Sequence, residues 1–188
     1  MTTLFHDAAP IEVAAPELTP LIDRLEFALR DRPTGLVAAT RTADCLSGRL
    51  PTPDILSADE QLGDPGAYRQ HVLYVNRDVP FSIVALVWRE GQRTAIHDHR
   101  CWGAVAVMQG AEHETLYSLR AADRSQLVPG RATTYPAGDI SAFAPPGDIH
   151  QVQNDGPGVA ISLHVYGADI ARHGSSIRRC YDAELVAA

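Results

Sequence analysis

The chain lacks several features that would place it outside ordinary globular proteins. Its three cysteines, Cys45, Cys101 and Cys180, are spaced neither as a disulfide framework nor as a CxxC site, which fits a reducing compartment. No stretch approaches the apolar length of a membrane span, and the opening MTTLFHDAAPIEVAAPELTP has neither the basic start nor the apolar core of a secretory signal. A cytoplasmic protein with no membrane partner is expected. Basic runs are also missing, and the net charge is -7. Nucleic acid is therefore not an expected partner, because neutralising phosphates requires clustered Lys and Arg. There is no internal repeat or low-complexity tract, and 45% hydrophobic with 21% charged residues argues against disorder or a fibrous class. At 188 residues, the expectation is one domain with a substantial core: residues 1–66 as an arm and helices packed on a barrel, residues 67–188 as the barrel with its tail.

Residues 1–17 are polar, proline-bearing and unpatterned, as in a loosely held arm. From Leu18 the apolar positions Leu21, Ile22, Leu25, Ala28 and Leu29 recur at helical spacing. Thr19 is placed to cap, Pro20 falls in the first turn and Pro33 stops the run. A shorter helix is expected over 35–47, then a connector over 48–66 with a helical turn near Ala58 to Leu62. From Tyr68 the pattern changes to short strands: HVLYVN, FSIVALVWRE, AIHDH, WGAVAVMQ, HETLYSL, ATTYPAG, DISAFA, HQVQN and VAISLHVYG, separated by turn residues. Many short strands at close spacing imply a closed barrel or jelly roll. The tail ADIARHGSSIRRCYDAELVAA loses the alternation and carries Arg172, Arg178 and Arg179, a cluster that is either solvated surface or, following directly on a strand of interest, part of a site.

Two histidines, His97 and His99, stand two apart in the segment between Gly91 and Gly110. On a strand both imidazoles project to one face and Asp98 to the other. Neutral imidazole suits zinc, copper, iron and nickel, so the pair is a candidate chelate that names no reaction; solvated strand histidines would look the same. Cys101, two residues further on, is either a thiolate ligand or a small buried strand residue. The strand Ile161 to Tyr166 puts Ser162, His164 and Tyr166 on one face and Ile161, Leu163 and Val165 on the other. A hydroxyl, an imidazole and a phenol in line can hold or pass a proton. That polar face lines either a wet cavity or solvent. His113 reads as strand surface between Glu112 and Glu114, and His6, His71 and His173 as solvated histidines.

The segments GQRTAIHDHRCWGAVAVMQG and GDISAFAPPGDIHQVQN together resemble the paired motifs of the cupin superfamily. Gly91, His97, His99, Gly103 and Gly110 match the first. Pro145, Gly147, His150 and Asn154 match the second, with one extra residue after Gly138. The resemblance implies an all-β core, a double-stranded β-helix or jelly-roll barrel with an N-terminal helical extension, and His97, His99 and His150 as a three-histidine metal site. The glutamate of the first motif is absent. Without an anionic protein ligand the metal keeps its full positive charge, which suits an anionic substrate such as a thiolate.

IHDHRCWGAVAVMQGAEHETLY, PPGDIHQV and SLHVYG look like the thiol dioxygenases of the cysteine dioxygenase family. That resemblance implies Fe(II) on the three histidines, O₂ and a small thiol carboxylate as substrates, a sulfinate product, and Ser162, His164 and Tyr166 as an outer relay. Gly103 falls where the animal enzymes carry a cysteine cross-linked to the tyrosine, so no cross-link is expected. Gln70 falls where cysteine-specific members carry a carboxylate-binding arginine, as in the 3-mercaptopropionate dioxygenase subgroup. There a C-terminal arginine takes that role; Arg179 is the best match, with Arg178 or Arg172 as substitutes. A guanidinium would hold the carboxylate by paired hydrogen bonds. Trp102 is expected either to wall the pocket or to sit in the core. L-Cysteine, mercaptosuccinate and cysteamine remain open as the thiol. A non-redox metal cupin of isomerase type, or a sensory small-molecule-binding cupin, would share the histidines without consuming O₂.

Overall fold

Two helices precede the barrel. Helix α1 (Thr19–Leu29) buries Leu21, Ile22, Leu25 and Leu29 along one face, the stripe its periodicity requires. The structure, a computed structural model, describes residues 15–120 and 126–182; most of the expected N-terminal arm, with His6, lies outside these residues. Thr19 does not cap the helix. Leu18 occupies the capping position, entered from a 3-10 turn over Pro16–Leu18, and its side chain is fully buried, so apolar burial fixes the entry where a hydroxyl was expected to. Helix α2 (Gly35–Ser47) has the expected bounds. The short α3 (Ala58–Gln61) starts on a reciprocal capping box between Ser57 and Glu60.

Ten strands follow: β1 (Arg69–Asn76), β2 (Phe81–Trp88), β3 (Ile96–His99), β4 (Gly103–Gln109), β5 (Ala111–Leu119), β6 (Leu127–Pro136), β7 (Ile140–Phe143), β8 (His150–Gln153), β9 (Ala160–Tyr166) and β10 (Ile177–Tyr181), with a helical turn α4 (Ile170–His173) before the last. They form two five-stranded sheets of order β1-β2-β9-β4-β7 and β10-β3-β8-β5-β6, paired antiparallel throughout. From β2 onward the chain repeatedly crosses between sheets, which is the jelly-roll winding of a double-stranded β-helix. The fold class is the expected one.

The first sheet is covered on both faces. Outside, Ile83, Ala85 and Val87 of β2, Ala104 and Ala106 of β4 and Leu163 and Val165 of β9 join Leu18, Leu21, Leu25 and Leu46 in one apolar cluster. Inside, Val84, Leu86, Trp88, Val152 and Tyr166 form another. Every residue of β2 and β9 is consequently buried. Strand β6 begins at Leu127, five residues before the expected segment, and runs through Pro129; it is a sheet edge, where a missing N–H is tolerated. Strand β10 and α4 were not expected. The edge strand β10 has no buried position and therefore no core-facing alternation, and its pairing with β3 is what makes it a strand.

Candidate metal centre

His97 and His99 leave β3 on its inner face, and β8 brings His150 into register opposite His97. All three are buried, with 4%, 2% and 6% exposure. Each uses Nδ1 for an outer partner. His97 Nδ1 meets the Ala95 carbonyl at 2.9 Å, His99 Nδ1 meets Asp148 Oδ2 at 3.0 Å, and His150 Nδ1 meets Glu114 Oε1 at 2.6 Å. Asp148 Oδ2 also accepts the His99 backbone N–H at 3.0 Å. With Nδ1 engaged, all three Nε2 atoms turn inward; those of His99 and His150 each lie 3.2 Å from that of His97. Three nitrogens bound at right angles at ~2.1 Å from one ion would stand about 3 Å apart, so this donor set fits a divalent metal. The three ligand atoms form the group able to hold a metal ion, and outer partners of this kind fix ring orientation and raise ligand basicity.

Burial keeps His97 and His99 neutral, the form that coordinates. Desolvation, reinforced by the neighbouring imidazoles, pushes His97 down to about 3, and burial also lowers His99. Burial alone would raise Glu114 and Asp148, yet hydrogen bonds from His150 and His99 hold both carboxyls below their ordinary value. Two acidic groups thus touch the ligands from outside while the inward donor set is all imidazole.

Beside this cluster, β9 presents Ser162, His164 and Tyr166. Ser162 Oγ lies 2.8 Å from His164 Nε2, and the Tyr166 hydroxyl 2.9 Å from His164 Nδ1. The Trp88 indole donates to Ser162 Oγ at 3.4 Å. The face is turned away from bulk solvent: exposure is 0%, 5% and 5%. Desolvation pushes His164 down to about 3 and raises Tyr166 well above the ordinary phenol value, so both are neutral at physiological pH. Tyr166 lies at the metal end, its ring centroid 6.3 Å from that of His99, and Phe143 stacks on His99 at 4.1 Å. Gly103 pairs with both Tyr166 and Phe143, and a Cβ there would collide with the Phe143 ring. The phenyl ring thus takes the space a cross-linking side chain would need.

Of the residues expected to contact substrate, Arg178, Arg179 and Trp102 lie away from the three imidazoles. Arg178 and Arg179 bind Asp98, on the face of β3 turned away from the imidazoles. Arg178 Nε reaches Asp98 Oδ1 at 3.2 Å, and Arg179 Nη2 and the Tyr181 hydroxyl reach Oδ2 at 3.3 and 2.9 Å. The bulge between Ile177 and Arg179 puts both guanidinium groups there, because a 2%-exposed carboxylate requires paired donors. Trp102 does not wall the site. It packs outside the first sheet over Gly167, beside Leu29, Pro33, Val79 and Pro80. Gln70 does stand on the inner side, in register with Leu86 and through it Ser162, and its amide donates to the Gly174 carbonyl at 3.0 Å. Arg172 is on α4, exposed, its backbone N–H capped by Asp169.

Cys101 is buried in the inner apolar cluster and burial pushes its thiol up to about 11, so it is a strand-end core residue and not a ligand. His113 meets Thr134 on the strand surface, and Asn154 ties Trp88 and Gly158 together. Sequence reasoning missed Asp148, Glu112, Trp88, Phe143 and the buried Ser176. It also missed Tyr68, stacked on Trp88 at 4.4 Å. For Glu112 and Glu114 a signal existed, their shared face on β5.

A double-stranded β-helix with three buried imidazoles converging inside it defines a metal-binding cupin. A family model described as cysteine dioxygenase type I matches residues 68–173, more than half of the chain, and the protein belongs to that family. Membership implies a thiol dioxygenase. Similar solved structures include a cupin superfamily protein from Desulfitobacterium hafniense, 14% identical over 65% of this chain and 93% of that one, TM-score 0.46. A protein with a double-stranded β-helix domain from Klebsiella pneumoniae is 24% identical over 68% and 96%, TM-score 0.46. A cupin 2 conserved barrel domain protein from Rhodopseudomonas palustris is 16% identical over 69% and 75%, TM-score 0.47. Among the described residues no helix is long and apolar enough to cross a membrane.

Proposed function

We propose that the protein is a non-haem Fe(II) dioxygenase that converts a small thiol carboxylate and O₂ to a sulfinate, with 3-mercaptopropionate as the favoured thiol. The observation that carries this reading is the inward donor set, three buried imidazoles and no carboxylate, beside a buried phenol held by His164. His97, His99 and His150 would hold the metal, and Fe(II) there would supply a binding position for thiolate and O₂ and the electrons for O₂ activation.

The chain's own residues supply position and protons. Phe143 and Tyr166 flank His99 and exclude water from that side. His164 Nδ1 fixes the Tyr166 hydroxyl, which stays protonated because burial raises it and so can exchange a hydrogen bond with the reacting groups. For the carboxylate, the arginines on Asp98 give way to Gln70 of β1 and to Tyr68, which precedes that strand. An amide donor at Gln70 is the feature that favours 3-mercaptopropionate over L-cysteine, by likeness to the subgroup with glutamine there.

The test is O₂ uptake by anaerobically Fe(II)-loaded protein with 3-mercaptopropionate, L-cysteine, mercaptosuccinate and cysteamine side by side, sulfinate being quantified. One sulfinate per O₂, fastest with 3-mercaptopropionate, is expected. Fastest turnover of another thiol would move the substrate assignment. Bound iron without uptake on any thiol would end the dioxygenase reading in favour of a non-redox or sensory cupin.

A further inference from the structure

Helices α1 and α2 carry most of the uncovered apolar surface of the molecule. Five large apolar side chains are exposed among the described residues, and three of them, Phe27 at 68%, Leu36 at 63% and Val37 at 56%, belong to this helical hairpin. Phe27 stands at a groove of about 520 Å³ between the two helices, lined by Arg24 and Ala28 of α1 and by Arg41, Asp44 and Cys45 of α2. Val37 lies one turn before Arg41 on the same stripe of α2. An aromatic ring beside a groove, with charges at its edge, has the make-up of an interface.

What distinguishes this surface is the order of its charges. Asp23, Phe27 and Arg30 follow one another at helical spacing, so they share one stripe along α1, opposite the buried Leu21, Leu25 and Leu29. Asp23 lines the same groove as Phe27. The Arg30 guanidinium lies over the Phe27 ring, 3.9 Å from its centroid, and donates to the Phe27 carbonyl at 2.6 Å. Asp23 and Arg30 are both exposed, and neither enters a salt bridge among the described residues, the nearby Asp31 being taken by Arg41. An acid and a base thus stand two turns apart, about 10 Å, with the aromatic ring between them.

We infer that this stripe is the centre of a two-fold contact between two copies of the chain, with α1 of one packed antiparallel on α1 of the other. A two-fold axis demands a self-complementary surface, on which residue i meets j and j meets i. With the axis beside Phe27, Asp23 of one copy meets Arg30 of the second copy, and the same pair recurs on the far side of the axis. The two aromatic rings meet between these pairs, each beside the groove of the other copy. A membrane surface would call for a basic polar rim, and a charged peptide for charge of one sign. The stripe instead fits a partner whose charges run in the reverse order, and α1 turned end for end is one. The helices lie outside the first sheet while the three histidines lie inside the barrel, so the contact uses no residue of the metal centre and does not rest on thiol oxidation.

The experiment is sedimentation equilibrium of the full-length protein between about 1 μM and 1 mM. The unmodified protein should pass from monomer to dimer mass within that range. Phe27→Ser should raise the dissociation constant about 30-fold or more, as loss of a central aromatic does. Asp23→Arg and Arg30→Asp each set like charges opposite one another on both sides of the axis, and each should raise it about tenfold or more. Mixed one to one, these two variants should regain the dimer, because the wholly basic stripe of one meets the wholly acidic stripe of the other; recovery on mixing also shows that both are folded. A monomer mass at every concentration overturns the inference without any variant, whether or not the hairpin then binds lipid vesicles or another protein. A dimer that the substitutions do not weaken, or charge variants that fail to recombine, overturns it as well. Thiol oxidation is not read in this experiment, so failure of the proposed function leaves its result standing.

Discussion

Tyr166 and Gly103 face each other across the β4–β9 pairing, and each has a distinct physical constraint. The Tyr166 hydroxyl is a buried polar group on His164, so Tyr166→Phe removes the proton-bearing atom and little volume. We expect kcat to fall on the order of 10²-fold, the usual size of a lost acid-base group, with KM for the thiol little changed and iron content unaltered, as steady-state kinetics and metal analysis would show. At Gly103 the constraint is space. Alanine there must displace Phe143 from its place against His99, and we expect a loss of about 1–3 kcal/mol, typical of overpacking, read from urea denaturation. An unchanged midpoint would mean that Phe143 moves freely, and with it the wall of the site.

At the scale of the element, β10 is held to β3 by backbone pairing and by the Asp98 cluster. Burial alone would raise the Asp98 carboxyl, but Arg178, Tyr181 and Arg179 bring it below its ordinary value. A carboxyl depressed in the folded state contributes stability that is complete above its unfolded value of about 4 and lost as pH falls through the folded value. Asp98→Asn should therefore flatten the acid limb of the stability curve and lower stability at neutral pH, measured by thermal unfolding across a pH series. The same geometry predicts that Arg178→Ala and Arg179→Ala leave KM for the thiol unchanged. A large KM increase would show that the tail moves its guanidinium groups to the inner face when substrate binds.

For the whole molecule, one apolar cluster contains α1, α2 and four strands of the first sheet, and we propose that residues 1–66 and the barrel fold as a single unit. Removing residues 1–66 should then give an insoluble or unfolded barrel, because the outer face of β2, β4 and β9 would be bared to water. The metal centre joins β3 and β8 of the other sheet, so a bound ion ties together segments far apart in the chain. Fe(II) at 100 times its dissociation constant should stabilise the native state by about 2.7 kcal/mol. For a chain of this size that is a rise in Tm of roughly 5–10 °C, absent in His150→Ala and reversed by a chelator.

The sequence by itself determined what local periodicity and fixed spacing can carry. The helical stripe of α1, the strand alternation, and the placing of His97 with His99 and of Ser162, His164 and Tyr166 on common faces all follow from periods of 3.6 and 2. Which face became the interior was a tertiary decision. Strand β10 has no core-facing alternation, and only its pairing with β3 turned Arg178 and Arg179 outward onto Asp98. Trp102 went outside because the helices cover the first sheet, making that surface as apolar as the core. Glu112, Asp148 and Phe143 acquired their neighbours from strands and turns remote in sequence, contacts that no local pattern encodes, since they exist only once two sheets have closed on each other.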